Sequence, residues 1–308
     1  MSALAERLNE YLALRRSLGF KLERPGQLLA QFVAYLEQTE VDTVTTERAV
    51  AWARQPTTAR QFWWSHRLST VRGFARYLHA IDPRHEVPPH DLLPAGRHRA
   101  EPYIYAQVEI ANLLRAATRI THPLMSTTYV TYIGLLAVTG MRAGEAIALD
   151  RDDLDWSEGL LVIRDAKFGK AREIVLHPTT VRALRDYDGC RRRLLPEPRT
   201  PAFFVSTAGT RLIYSNVQHT FHELTKRAGL QPRSERCRPR LHDLRHTFAV
   251  NTLLGWYRTE ADVAERMHLL TTYLGHGQPA DTYWYLSATP ELLALVGERL
   301  ERQLDGLA

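Results

Sequence analysis

A proline-rich stretch at residues 82–102 divides the chain and constrains its fold more than any other feature. The stretch, DPRHEVPPHDLLPAGRHRAEP, carries five prolines among basic and polar residues. Proline lacks the amide proton that helices and sheets use, and it disfavours helix at the residue before it. Such a stretch is typical of a linker. We therefore expect two domains, at residues 1–98 and 99–308, as the chain length also favours.

The part before the linker predicts a small all-helical domain. Apolar residues recur there at helical spacing, and no comparable strand signal occurs before residue 100. The predicted helices cover residues 3–19, 26–38, 46–54 and 57–78.

The part after the linker predicts mainly helix with a small antiparallel β-sheet, an α+β fold. Helical patterns cover residues 106–117 and 124–138, begin again near Met141 and Pro178, and dominate from residue 214 onward. The segments LLVIRD and REIVLH flank the loop AKFGKA as two strands of a hairpin. AFFVS is a candidate third strand, and DLDWSEG is rich in turn formers.

The charge balance favours a polyanionic partner. The formal net charge is +6, and residues 191–240 hold eleven Lys or Arg against three Asp or Glu. Excess positive charge of this kind is common in proteins that bind nucleic acids. A solvated basic face explains the same charge, so charge alone leaves the partner open.

Several features predict an intracellular protein with no membrane partner. Cys190 and Cys237 form neither a CxxC pair nor a disulfide framework, which fits a reducing cytosol. The N-terminus has acids among its apolar residues and lacks the pattern of a signal peptide. The most apolar stretch, YVTYIGLLAV, is too short to span a bilayer. We expect a location in the cytoplasm, in the bacterial cytosol or nucleoid.

Four short motifs, far apart in the sequence, carry polar and ionisable residues. They are TGMRAGEAIAL with Arg142 and Glu145, AKFGKAR with Lys167 and Lys170, LHDLRHTFAV with His242, Arg245 and His246, and YLGHGQPADTYWYL with His276, Tyr273, Tyr283 and Tyr285. Each motif alone has a plain structural explanation. Arg142 and Glu145 can form an i, i+3 ion pair, and hairpin lysines are usually solvated. His242 and His246, one helical turn apart, can pack or bind zinc. The tyrosines of the last motif can be aromatic packing.

Together, the same residue types suit the cleavage of a phosphodiester. Two arginines can bind the non-bridging oxygens with bidentate geometry, and a tyrosine can attack phosphorus as a covalent nucleophile. A lysine on a hairpin can protonate the departing sugar alkoxide. Histidines can donate to the phosphate or relay the phenol proton. This chemistry requires no metal and no other cofactor.

The four motifs, in this order over residues 102–290, resemble those of the tyrosine recombinase (phage integrase) family, which includes the Xer proteins and many transposon integrases. TGMRAGEAIAL is similar to its Thr-Gly-hydrophobic-Arg…Glu box, and LHDLRHTFA to its His-x-x-Arg-His box. LGHG with a later tyrosine is similar to its last box. The helical part before the linker is similar to the family's core-binding domain, which binds DNA.

The resemblance implies the principal site residues. Arg142 and Arg245 would bind the scissile phosphate, and His276 would donate to its phosphoryl oxygens. The family's nucleophile lies nine residues after that histidine, which selects Tyr285. Tyr283 is then expected to pack or to make a backbone contact. Two departures from the usual pattern are Gly277 with Pro279, and the highly aromatic YWYL.

The resemblance also implies supporting roles. Lys167 matches the general acid for the 5′-hydroxyl leaving group, and Lys170 is the alternative because the register of the short loop is open. His242 would assist proton transfer from the tyrosine. Glu145 is expected to support the site without touching the DNA, and His246 is expected to be structural.

The function implied is site-specific recombination of double-stranded DNA through a 3′-phosphotyrosyl intermediate, without ATP. It serves integration, excision, dimer resolution or transposition. A type IB topoisomerase-like nicking-closing enzyme, a non-catalytic DNA-binding protein on the same fold, and a zinc protein remain alternatives.

The tail TPELLALVGERLERQLDGLA predicts a helix that starts at Pro290 and carries an apolar stripe. The resemblance implies that this helix docks on a neighbouring subunit, so that a homotetramer forms on paired DNA sites. Packing on its own domain is the alternative.

Overall fold

A computed structural model describes residues 2–93, 101–166, 170–259, 262–287 and 289–305. The chain divides into two compact units, Met1–Arg99 and Ala100–Ala308. Each unit has its own apolar core.

The first unit is built from helices in its described part. They are α1 (Ala3–Ser17), α2 (Glu23–Gln38), α3 (Thr46–Arg54) and α4 (Gln61–Ile81). Two of them start at a hydroxyl cap, because Ser2 accepts from the Ala5 amide and Thr45 from the Arg48 amide. The core packs the Phe32 ring edge-on against Trp52, with centroids 5.1 Å apart.

The first half of the proline-rich stretch packs on this helical unit. Arg72, a buried arginine of α4, donates to the carbonyls of Pro88 and Pro89 at 2.7 and 2.8 Å. The ring of His85 accepts from the Val44 amide at 3.0 Å. Residues 82–93 are therefore fixed to the first unit by buried hydrogen bonds.

The second unit is mainly helical with a small antiparallel sheet, so the predicted fold class is confirmed. Its helices are α5 (Gln107–Thr118), α6 (Pro123–Thr139), α7 (Ala143–Ala148), α8 (Pro178–Leu194), α9 (Tyr214–Arg227), α10 (Asp243–Arg258), α11 (Val263–Leu274), α12 (Ala280–Tyr283) and α13 (Pro290–Asp305). The strands are β1 (Leu154–Asp155), β2 (Leu160–Ala166) and β3 (Lys170–Val175), in the order β1-β2-β3. None of the helices in the described ranges is long and apolar enough to cross a membrane.

The prediction of the third strand is wrong. AFFVS forms only two isolated bridges, through Ala202 and Val205, with both of its phenylalanines fully buried. A short apolar run cannot distinguish a strand from a buried loop. The third strand is β1, inside the segment that we interpreted as a turn. Asp155 belongs both to this strand and to the turn that follows it. Its backbone pairs with Leu160 of β2, and its carboxylate accepts from the Ser157 amide in the turn.

A separate apolar cluster lies where α10 and α11 meet the end of the chain. It contains Leu253 and Leu274 from these helices, together with Tyr285 and Leu292. A short 3₁₀ segment, Trp284–Ser287, carries Tyr285 between α12 and α13. The packing of this cluster therefore places the last motif beside the start of α10.

Candidate active site

Arg142 and Glu145 form the first part of the site, at the start of α7. The Arg142 amide donates to Glu145 Oε2 at 2.7 Å, and its Nη1 donates to Oε1 at 2.7 Å. A carboxylate three residues into a helix commonly caps the first amide in this way. The i, i+3 pair that explains the motif structurally is thus present, and it also orients the guanidinium.

Arg172 of β3 joins this pair, and sequence reasoning missed it. Its Nη1 and Nη2 donate to the two carboxylate oxygens of Glu145 at 3.0 and 2.7 Å. Burial alone would raise the pKa of Glu145. The hydrogen bonds and charge of Arg172, followed by the hydrogen bonds of Arg142, outweigh burial and hold the pKa of Glu145 below its usual value.

A signal for Arg172 was available in the strand pattern. Along β3, exposed Ala171 and Glu173 alternate with inward-facing Arg172 and buried Ile174. A charged residue on the inward face of a strand needs a partner. The predicted site residues of this hairpin are its lysines alone.

Arg245 is the most deeply buried arginine of the site, with 2% of its surface exposed. Its Nη1 donates to the Gly140 carbonyl at 3.0 Å and its Nη2 to the Leu274 carbonyl at 2.6 Å. Arg142 Nη2 likewise donates to the Gly275 carbonyl at 2.9 Å. Burial, and next the charge of Arg142, lower the pKa of Arg245 to about 10, so it remains cationic at neutral pH.

The accepting carbonyls lie at the C-terminal ends of two helices. Gly140 ends α6 and Gly275 ends α11, both with left-handed backbone (φ of 60° and 66°). Carbonyls at such ends have no partner within the helix and carry partial negative charge. A β-carbon at Gly140 would overlap the Phe248 ring, and one at Gly275 would lie 2.9 Å from Arg172 Nη1. Both positions therefore require glycine.

His242 and His276 are held as neutral imidazoles. Burial is the main cause that lowers the pKa of each to about 4, followed by the charges of Arg245 and Arg142. At pH 7 each ring therefore carries one proton and one lone pair, so each can donate or accept.

A chain of hydroxyl groups lies behind His276. Its Nδ1 is 2.7 Å from Thr282 Oγ1, which is 3.0 Å from Thr271 Oγ1. Thr282 is completely buried. Neither threonine was predicted as a site residue, because no motif distinguishes them from helix-packing residues.

The structure separates the three tyrosines of the last motif. Tyr285 is 2% exposed, and its ring lies over His276 with centroids 6.0 Å apart and planes 24° from parallel. Tyr283 is 52% exposed. Tyr273 stacks on Phe248 at 5.5 Å, and burial raises the pKa of Tyr273 to about 12. Of the three, Tyr285 is the one placed against the histidines.

Three of the predicted residues remain to be placed, namely His246, Lys167 and Lys170. His246 packs its ring against His242 and Tyr285, with centroids 4.8 and 5.5 Å apart. Lys167 lies outside the described residues, and of Lys170 the structure describes the backbone at the start of β3. Within the described ranges, no three His, Cys, Asp or Glu side chains gather as a zinc site would require.

Comparisons with known proteins identify the family of this chain. Residues 105–291 match the phage integrase family. The protein y4rB of Sinorhizobium fredii (strain NBRC 101917 / NGR234), which carries the name integrase/recombinase, is 43% identical over 311 residues, covering 99% of each chain. Tyrosine recombinase XerC of Alcanivorax borkumensis is 28% identical over 242 residues, which are 77% of this chain and 74% of XerC.

Solved structures show the same fold. The Tn1549 transposon integrase, in complex with transposon right end DNA, superposes with a TM-score of 0.64 at 16% identity, covering 96% of this chain and 98% of that chain. The XerA recombinase superposes with a TM-score of 0.52 at 23% identity, covering 96% and 98%. The chain belongs to the phage integrase family and is a tyrosine-type site-specific DNA recombinase.

Proposed function

We propose that Tyr285 attacks a DNA phosphodiester that Arg142 and Arg245 bind between them. The observation that carries this proposal is the anchoring of both guanidinium groups on main-chain carbonyls at the ends of α6 and α11. A guanidinium has five N–H donors, so these bonds leave donors for the phosphate. Charges fixed in place before the substrate arrives stabilise a transition state without reorganising.

The proposed step exchanges one phosphate ester for another. The Tyr285 oxygen forms a bond to phosphorus, and the bond from phosphorus to the 5′ oxygen breaks. The products are a 3′-phosphotyrosyl linkage and a free 5′-hydroxyl strand end. Attack by a different 5′-hydroxyl reverses the step and joins new partners, so the linkage energy is conserved and no ATP is consumed.

Neutral His242 is the proposed acceptor of the phenol proton. In the structure burial lowers the pKa of His242 most, and the charges of Arg245 and Arg142 lower it further. A bound phosphate compensates those charges, and a nearby negative charge raises the pKa of a histidine. Substrate binding would therefore make His242 a better base at the moment when it is needed.

His276 and the hairpin lysine complete the proposed machinery. His276 donates to a phosphoryl oxygen, and Lys167 protonates the departing 5′ oxygen, with Lys170 as the alternative. Glu145 orients Arg142 in this proposal, which is supported by the hydrogen bonds that its carboxylate accepts from the Arg142 amide and guanidinium.

We further propose that the two units both contact duplex DNA and that recombination takes place on a homotetramer, in the cytosol or nucleoid. The Tn1549 integrase neighbour was solved with DNA, and this chain carries a +6 net charge. In α13, Leu292 is fully buried on its own unit, whereas Leu293 is 51% exposed. The helix can thus pack on its own domain and present another face to a neighbouring subunit.

A nicked suicide duplex carrying the recombination site tests this function. Loss of a short fragment after cleavage traps the covalent protein–DNA adduct. An adduct that forms, and whose strand transfers to a second duplex, supports a recombinase. Nicking and closing alone would support the topoisomerase alternative. Gel retardation without any adduct would support a non-catalytic DNA-binding protein.

A further inference from the structure

The hydroxyl chain behind His276 determines which of its ring nitrogens can face a phosphate. Nδ1 is taken by Thr282 Oγ1 at 2.7 Å, so Nε2 is the nitrogen left for the substrate. Because the ring is neutral at pH 7, it has one N–H, on either Nδ1 or Nε2. Only the Nε2–H tautomer can donate to a phosphoryl oxygen.

The hydroxyl protons of Thr271 and Thr282 can be arranged in two ways that use both protons and leave every hydrogen bond between Thr271, Thr282 and His276 with a donor. Thr271 Oγ1 lies 2.8 Å from the Met267 carbonyl and 3.0 Å from Thr282 Oγ1, and its single proton serves one of them. If Thr271 donates to Thr282, then Thr282 donates to His276 Nδ1 and leaves Nε2–H. If Thr271 donates to Met267, then Thr282 donates to Thr271, His276 donates to Thr282, and Nε2 carries a lone pair.

Two features favour the first arrangement when a phosphate is bound. The Met267 carbonyl lies inside α11, where the Thr271 amide already donates to it, so it does not need the hydroxyl proton. A phosphate oxygen also presents lone pairs. An Nε2 lone pair beside it would leave two acceptors in contact without a proton, which is costly in a buried site.

We propose that Thr282 is a positioning residue that donates its hydroxyl proton to His276 Nδ1 and so fixes the Nε2–H tautomer that binds the scissile phosphate. That this tautomer binds the scissile phosphate rests on the proposed function, whereas the tautomer itself can be measured independently of it. Thr282 also lies three residues before Tyr285. The same hydrogen bond therefore ties the segment that carries the nucleophile to the histidine that it works with.

The tautomer is measured by nitrogen NMR on full-length protein with ¹⁵N-labelled histidine, bound to a site duplex and carrying Tyr285→Phe to prevent turnover. The protein has 13 histidines, so His276→Gln identifies the signal. We expect a protonated Nε2. Adding Thr282→Val, which keeps the shape but loses the donor, should abolish this preference, and Thr282→Ser should keep it. A proton on Nδ1 in the parent complex would overturn the proposal.

Catalysis supplies the second readout, in protein that retains Tyr285. Mutating the outer hydrogen-bond partners of metal-ligating histidines typically costs 10- to 100-fold. By the same positioning argument we expect Thr282→Val to cleave about 10- to 100-fold more slowly at unchanged DNA affinity. Thr282→Ser should cleave within about 3-fold of the parent. Thr252→Val is the matched control, since Thr252 Oγ1 bonds only the Phe248 carbonyl among the contacts described for it.

The outcomes separate this proposal from the proposed function. Thr282→Val that cleaves like the parent would overturn the role of Thr282 in catalysis. Adduct formation that survives Tyr285→Phe would instead overturn the proposed nucleophile, and the NMR result for His276 would still decide the tautomer.

Discussion

Glu145 and Arg172 form a bidentate ion pair across 27 residues of sequence, with N···O distances of 3.0 and 2.7 Å. The side chains are 10% and 11% exposed. Because Glu145 also binds Arg142, its carboxylate links β3 to the start of α7. The hairpin that carries the lysines is therefore mechanically connected to the arginine that we propose holds the phosphate.

Arg172→Gln should lower both stability and activity. Removing one partner of a buried ion pair typically costs 3–5 kcal/mol, and because Glu145 keeps Arg142 we expect about 3 kcal/mol in the free energy of unfolding. Arg142, less firmly oriented, should also support slower cleavage. Urea unfolding and adduct formation measure the two effects.

Lys226→Gln is the control for this prediction. Lys226 pairs with Glu223 in the same unit, but the two side chains are 59% and 40% exposed. Exposed pairs are worth about 0–1 kcal/mol, so little stability should be lost. Equal losses in the two variants would show that the Glu145–Arg172 pair is no more than a surface contact.

Tyr285→Phe should abolish covalent attachment to DNA while DNA binding stays nearly intact, because only the attacking oxygen is removed. Tyr283→Phe should retain attachment, since Tyr283 is 52% exposed, whereas it is Tyr285 whose ring packs against His246 and His276. Denaturing gels of the suicide substrate measure the adduct, and retardation measures binding. An adduct lost in Tyr283→Phe alone would identify the other phenol as the nucleophile.

Gly275→Ala should impair the site beyond the effect of backbone strain. An alanine in left-handed conformation costs about 1–2 kcal/mol, and here its β-carbon would also lie 2.9 Å from Arg172 Nη1. Gly229→Ala has the same strain, with φ of 74° and no atom within 4 Å. We expect Gly275→Ala to lose at least as much stability as Gly229→Ala, and only Gly275→Ala to cleave slowly. Similar cleavage rates in both would contradict a steric role.

The histidines should make stability depend on pH. The pKa values of His242 and His276 are lowered to about 4 in the folded protein, against about 6.5 for an unperturbed histidine. Between these values the unfolded chain binds more protons. Their contribution to stability is therefore present above pH 6.5 and is lost as the pH falls toward 4. The midpoint of urea unfolding should change less between pH 7 and pH 5 in the double variant His242→Gln, His276→Gln than in the parent.

The tail offers a contrast between adjacent leucines. Leu292→Ala removes a fully buried side chain beside Tyr285 and should cost about 2–5 kcal/mol of unfolding free energy. Leu293→Asp changes a side chain that is 51% exposed, so it should spare folding and single-site binding but weaken assembly on paired sites. Sedimentation of the DNA complexes measures assembly. Normal assembly in Leu293→Asp would argue against docking through this face.

The sequence predicted best those features that are local. The fold class follows from periodicity, and the i, i+3 pair of Arg142 with Glu145 follows from helix geometry. Arg245, His276 and Tyr285 were selected through the resemblance of the ordered motifs to those of a known family, and the structure brings them together. Their environment, which makes the histidines neutral and buries the phenol, depends on tertiary packing and could not be predicted from the motifs.

The features that were missed depend on tertiary contacts. Arg172 binds Glu145, 27 residues away, and Thr282 lies between His276 and Thr271, but nothing local distinguishes the two from ordinary strand and helix residues. AFFVS was wrongly predicted as a strand because its apolar run satisfies burial equally well as a loop. The residues of β1 were hidden because Asp155 belongs to a strand and a turn at once.

The termination of α6 and α11 at Gly140 and Gly275 limits which insertions members of this family can accept as their sequences diverge. One residue added to a helix rotates its end by about 100° and moves it about 1.5 Å. A single-codon insertion in α6 would therefore turn its accepting carbonyl away from Arg245, and one in α11 would turn its carbonyls away from both arginines. A relative could then retain every recognisable motif and still be inactive. For genome surveys, the lengths of these two helices are thus a criterion of activity that is independent of the motifs themselves.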